Sequence, residues 1–168
     1  MPGIFAAAPE AWSNILPEQQ QALDVLAVIK AILLQSTSLK LRAQPIIGSM
    51  AALRDYVCID QTHSPIEIVR AIFLGTKNQL IREEIVAHGT IDESPVFPRE
   101  IVRRALELHA ASIILVHNHP SGDPKPSQAD ISLTRQLSKA ASILQIALYD
   151  HIIVSSTGHL SLRAEGIM

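Results

Sequence analysis

Two histidines one residue apart, His117 and His119, lie ahead of Ser127, with seven residues between His119 and the serine, and Asp130 follows three positions later. Two imidazoles and a carboxylate are ligands for a borderline cation such as zinc, and a hydroxyl beside them can serve a reacting group. The apolar run 110–116 before them reads as a buried strand. On an extended chain, residues two apart share a side, so both imidazoles leave the strand end in one direction and Asn118 faces away. Pro120, Gly122, Pro124 and Pro126 then force a loop. Beyond it, Ala129, Ile131, Leu133, Leu137, Ala140 and Ala141 recur at helical spacing, which puts Asp130 in the first turn. Three protein ligands leave one tetrahedral position for water, the catalytic rather than the structural arrangement of zinc. Ser-x-x-Asp at a helix start is also a cap, and the two roles of Ser127 are compatible.

Water activated at such a site needs a carboxylate within reach, acting first as base and then as acid toward the leaving group. Glu83 and Glu84 are adjacent candidates in a strand-like run ended by Gly89-Thr90. They face opposite sides of a strand, so only one can serve. Periodicity leaves the choice open: Ile81, Ile85 and Ala87 share a side with Glu83, Leu80 and Val86 with Glu84. Glu67 and Glu100 are weaker options, and Glu100 reads more simply as a first-turn residue of a helix begun at Pro98. His63, His88, His109 and His159 read as structural or solvated. Asp150 and His151 precede the apolar run 152–154, and either can orient a ligand imidazole. Cys58, the single cysteine, sits among apolar neighbours and reads as a buried inert thiol.

The string His117-Asn118-His119-Pro120-Ser121-Gly122-Asp123-Pro124, continued by Pro126-Ser127 and Asp130, resembles the RadC-like JAB-domain family. His-x-His, seven residues, Ser, two residues, Asp is the JAMM (MPN+) metalloprotease motif. The likeness extends through Phe73-Leu74-Gly75-Thr76-Lys77-Asn78, Glu84-Ile85, Gly89-Thr90, Pro98-Arg99-Glu100 and Asp150-His151, and covers residues 64–168. Gly75 departs from it, since the family usually has Asp there. The resemblance implies an α/β fold, a JAB/MPN-like mixed β-sheet flanked by helices, and a zinc hydrolase site. In that site His117, His119 and Asp130 hold Zn²⁺, Ser127 hydrogen-bonds the reaction intermediate, and an upstream Glu handles the proton. The family places that Glu just before Ile or Val and five residues before Gly, which selects Glu84. The implied activity is a JAMM-type metallopeptidase or isopeptidase with a peptide or protein substrate. The alternative, following the family's historical label, is a DNA-repair-associated or DNA-processing factor.

The elements that position these residues follow from the remaining pattern. A tight turn at 75–78 separates strands over 66–74 and 79–88. A helix over 98–109 turns Ile101, Val102, Ala105 and Leu106 inward. The strand ending at His117, the helix from Ser127, a strand over 147–154 and a short one over 159–162 complete an α/β sandwich. Residues 1–60 form an N-terminal helical segment, with helices near 9–15, over 17–35, and from about Ser49 through Val57. The family usually carries a helix-hairpin-helix module there. Residues 4–35 resemble a degenerate remnant, because Leu16-Pro17-Glu18-Gln19-Gln20 replaces the glycine turn that lets amides approach phosphate.

Composition narrows the function classes. At 168 residues and 48% hydrophobic, the chain suits one globular domain plus an appendage. One cysteine forms no internal disulfide, as expected of a cytoplasmic protein, and excludes a nucleobase deaminase with a Cys-x-x-Cys zinc site. Residues 1–60 hold four basic side chains (Lys30, Lys40, Arg42, Arg54) against five acidic ones, so weak or no DNA binding is expected of them. The start lacks a basic leader, and the apolar stretch 22–34 contains Asp24 and Lys30. It is expected to be a buried helix, too short for a bilayer, with no membrane partner. Oligomeric state leaves no signal here.

Overall fold

The computed structural model describes residues 20–43, 50–62, 64–89 and 96–168. Among them, helices α1 (Gln20–Ala43) and α2 (Met50–Gln61) precede strands β1 (Ile68–Leu74) and β2 (Leu80–His88). Helix α3 (Pro98–Glu107), strand β3 (Ser112–Asn118), helix α4 (Gln128–Ile143) and strands β4 (Ala147–Ser155) and β5 (Gly158–Ser161) follow. The five strands form one sheet in the order β2-β1-β3-β4-β5. Only the β3–β4 pair is parallel, with α4 as its crossover. The expected mixed sheet flanked by helices is what the chain forms.

Alternation along the strands builds two cores. Val69, Ala71, Phe73, Ile113 and Leu115 face α3 and α4, where they meet Ile101, Val102, Ala105, Leu133 and Leu137. Ile72, Leu74, Ile114, Val116, Ile152 and Val154 face the other way, against Leu53, Tyr56 and Val57 of α2. β3 lies in the middle of the sheet and all seven of its residues are buried, which explains its unbroken apolar run. α3 stops two residues before its expected end because His109 takes a left-handed φ of 51°. In the β1–β2 turn, Asn78 is left-handed and the Gln79 side chain fills the space that a Cβ on Gly75 would occupy.

The N-terminal expectation needs correction. α1 runs to Ala43 rather than 35, because the Thr37 hydroxyl donates back to the carbonyls of Leu33 (2.8 Å) and Leu34 (3.1 Å) and is satisfied inside the helix. Nor is it a buried helix. Leu34 packs toward α2, but Val25, Val28, Ile32 and Leu39 are all more than half exposed. The longer stretch Gln21–Leu39 is, by length and composition, apolar enough to cross a bilayer, unlike the shorter window 22–34. The expected helix near 9–15, the cap at Ser49 and residues 16–19 of the segment that replaces the hairpin glycines lie outside the described residues.

Candidate metal centre

His117 and His119 leave the end of β3 on the face covered by α3 and α4. His117 is buried, pairs with Val69 of β1, and continues the row Ile113, Leu115. His119 lies just past the strand and is tied to β4 by its amide, which donates to the Val154 carbonyl (2.9 Å). The proline-rich loop turns back through Gly122, at φ 89°, whose carbonyl accepts from Thr157 Oγ1 (2.6 Å) in the β4–β5 turn. The loop thereby places the Asp123 carbonyl 2.8 Å from His119 Nδ1. A carbonyl can only accept, so Nδ1 carries the proton and Nε2 of a neutral His119 presents its lone pair.

Ser127 is the N-cap of α4, and the capping box is complete. The Asp130 amide donates to Ser127 Oγ (3.1 Å) and the Ser127 amide to Asp130 Oδ2 (2.7 Å). Ser127 Oγ also donates to Asp130 Oδ2 at 2.6 Å. Asp130 is fully buried, and its Oδ1 accepts no hydrogen bond. That oxygen lies 3.3 Å from His117 Nε2, while Oδ2 lies 3.4 Å from His119 Nε2. The two Nε2 atoms approach to 2.9 Å.

The carboxylate that joins this cluster is Glu67, not Glu84. Glu67 Oε1 lies 3.7 Å from His117 Nε2, and ligand atoms of Glu67, His117, His119 and Asp130 all fall within 4.8 Å of one another. Asn118, facing away from the histidines as its parity requires, sets this position. Its Oδ1 accepts from the Ile68 amide (2.8 Å) and its Nδ2 donates to the Ile66 carbonyl (3.0 Å), pinning the entry to β1 on either side of Glu67. Glu84 does share the sheet face of the histidines, but it pairs with Ala71, which itself pairs with Leu115. It therefore lies two residues along and two strands across from His117, about 12 Å by strand geometry. Both its oxygens accept from Arg104 of α3, at 2.6 to 3.0 Å. Those bonds hold its pKa below the usual carboxylate range, which makes it a poorer base. Glu83 faces the opposite side, where it accepts from Tyr56 Oη (2.5 Å) and pairs with Arg70. Glu100 stays on the exposed face of α3, paired with Arg103.

Four electron-pair donors thus converge on one buried point, and two of them approach at 2.9 Å. Such a group requires a positive species among its members. A proton on His119 meets this need in the metal-free protein: hydrogen bonding to Asp130 raises the His119 pKa. A divalent cation would meet it better, because His117, His119 and the orphaned Asp130 Oδ1 could hold it together with Glu67 beside it. The residues present fit a metal.

The other expected orienting residue is resolved as His151, opposite Leu115 on β4 and fully buried. Its Nε2 lies 2.8 Å from His117 Nδ1. Asp150 serves elsewhere, accepting from the His151 and Arg163 amides and from Ser161 Oγ. Burial pushes the His151 pKa down to about 4, from 6.5, and burial also lowers that of His117. The metal-free protein should therefore lose stability as pH falls from 6.5 toward 4, since the unfolded chain binds a proton that folded His151 refuses. His151 alone accounts for about 3 kcal/mol across this window. The raised His119 acts with opposite sign and above 6.5, and the depressed Asp130 and Glu84 matter only below about 4.5. Urea unfolding of chelator-treated protein at stepped pH checks this; flat stability between 6.5 and 4 would contradict it.

Comparison with known proteins decides the family. The model of the RadC-like JAB domain matches residues 47–167. The chain belongs to the RadC-like JAB-domain family. It is 42% identical over 165 residues to the UPF0758 protein of Rhodobacter capsulatus, covering 98% of this chain and 77% of that relative. The match takes in α2, which packs directly on the sheet of this JAB domain. All four members of the Glu67–His117–His119–Asp130 group lie within the residues that the family model matches.

Proposed function

We propose that this RadC-like JAB domain is a zinc-dependent amide hydrolase, a metallopeptidase or isopeptidase acting on peptide or protein in the cytoplasm. The observation that carries the reading is the convergence of His117, His119, Asp130 and Glu67 on one point. Two imidazole nitrogens and a carboxylate oxygen are a donor set suited to zinc, and three protein ligands are the count of catalytic sites. Bound there, zinc supplies a water whose pKa falls to about 7, so that a nucleophile is available at neutral pH.

The chain's own residues do the rest. His117, His119 and Asp130 hold the ion, and Ser127 fixes the Asp130 carboxylate through both its amide and its hydroxyl. Glu67, partly exposed at the edge of the cluster with Oε1 3.7 Å from His117 Nε2, accepts the proton of the attacking water at its carboxylate. It then returns that proton to the nitrogen of the leaving amine. For Ser127 to serve the oxygen of the reacting carbonyl as well, its hydroxyl must leave Asp130 Oδ2. A peptide-library digest with purified protein tests the reading. Cleavage is expected, lost with chelator and restored by zinc; cleavage indifferent to chelation, or none at any zinc level, would contradict it.

A further inference from the structure

Behind the two histidine ligands runs a buried chain of hydrogen bonds whose direction can be worked out. Thr134 lies on α4 one turn after Asp130, and its Oγ1 is 2.6 Å from the Asp130 carbonyl oxygen. The same Oγ1 is 2.6 Å from His151 Nδ1, and His151 Nε2 is 2.8 Å from His117 Nδ1. Thr134, His151 and His117 are each essentially inaccessible to solvent, so water does not reorder these bonds.

The carbonyl has no proton to give, so the single hydroxyl proton of Thr134 goes to Asp130. Thr134 then receives from His151 Nδ1–H. That leaves His151 Nε2 as an acceptor, and it takes the proton of His117 Nδ1. His117 Nε2 is therefore bare, with its lone pair directed at Asp130 Oδ1, His119 Nε2 and Glu67. Within this relay, reversing any one bond alone sets two lone pairs or two protons against each other at less than 3 Å. The 2.9 Å approach of His117 Nε2 to His119 Nε2 at its open end is the contact that the proton on His119 relieves in the metal-free protein.

We propose that Thr134 and His151 are positioning residues that set the His117 tautomer, so that the backbone carbonyl of one ligand, Asp130, determines the proton position of another. Helix α4 accordingly prepares two ligands at once: Ser127 at its cap orients the Asp130 carboxylate, and Thr134 a turn later readies the His117 nitrogen. Outer partners of this kind fix ring orientation and raise ligand basicity. The meaning of the relay for metal binding rests on the zinc reading above, but its proton order is a property of the metal-free protein.

The test uses full-length protein labelled with ¹⁵N-histidine. In metal-free wild type, long-range ¹H–¹⁵N correlation should find the proton of His117 on Nδ1 and that of His151 on Nδ1. Thr134→Ser keeps the hydroxyl and should keep both tautomers and the zinc affinity. Thr134→Val is near-isosteric but cannot accept from His151; it should move the His117 proton to Nε2 and weaken zinc binding by roughly 10- to 100-fold. A proton on His117 Nε2 in wild type overturns the proposal. So does a Thr134→Val protein with unchanged tautomers and unchanged zinc affinity. If wild type shows the stated tautomers yet binds no zinc, the hydrolase reading fails while the proton order stands.

Discussion

Glu67→Gln should leave zinc stoichiometry unchanged and reduce peptide cleavage by about 10²- to 10⁴-fold, the usual contribution of a positioned general base. Glutamine keeps the shape of the side chain but cannot take a proton from water. The companion variant makes the result specific. Glu84→Gln breaks a fork to Arg104 that is about a third exposed, an interaction worth no more than about 1 kcal/mol, and should cleave as wild type does. Steady-state kinetics of the two variants beside wild type decide between the carboxylates. The opposite pattern, with Glu84→Gln inactive and Glu67→Gln active, would return the proton-transfer role to the residue selected by the family pattern.

His117→Ala and Asp130→Ala should each lower zinc affinity more than about 100-fold, beyond the ~10- to 100-fold cost of losing an outer partner. The reason is the small number of donors. With three ligands, removal of one leaves an ion that the site cannot hold against solvent. Asp130→Ala has a second consequence, because Asp130 closes the capping box of α4 and its loss costs on the order of 1 kcal/mol of stability. His117→Ala spares that box, so zinc titration followed by thermal unfolding separates ligation from folding. Equal zinc affinity in His117→Ala and wild type would remove His117 from the site.

Much of this was legible in the sequence because it depends on local rules. The parity of His117 and His119 on β3, the capping box of Ser127 and Asp130, and the strand–loop–helix order needed only periodicity and turn chemistry. The identity of the fourth group was not legible in the same way. Glu67 and Glu84 face the same side of the sheet, and nothing in either local pattern says where along that face each one ends. That depends on register: Val69 lies opposite His117, whereas Glu84 reaches His117 only by way of Ala71 and Leu115. One signal was present, since Glu67 continues the inward row Val69, Ala71, Phe73 at the strand's open end. The Arg104 fork that occupies Glu84 comes from a helix twenty residues downstream and leaves no trace in the spacing. The exposure of α1 is illegible for a related reason: apolar content does not reveal whether a neighbour exists to bury it.

The central claim is most directly tested by anomalous diffraction at the zinc edge from crystals equilibrated with zinc. A single strong peak is expected between His117 Nε2, His119 Nε2 and the Asp130 carboxylate, with Glu67 facing it. A peak elsewhere, or none under conditions that saturate a known zinc protein, would contradict the metal centre and leave those four side chains without a shared purpose.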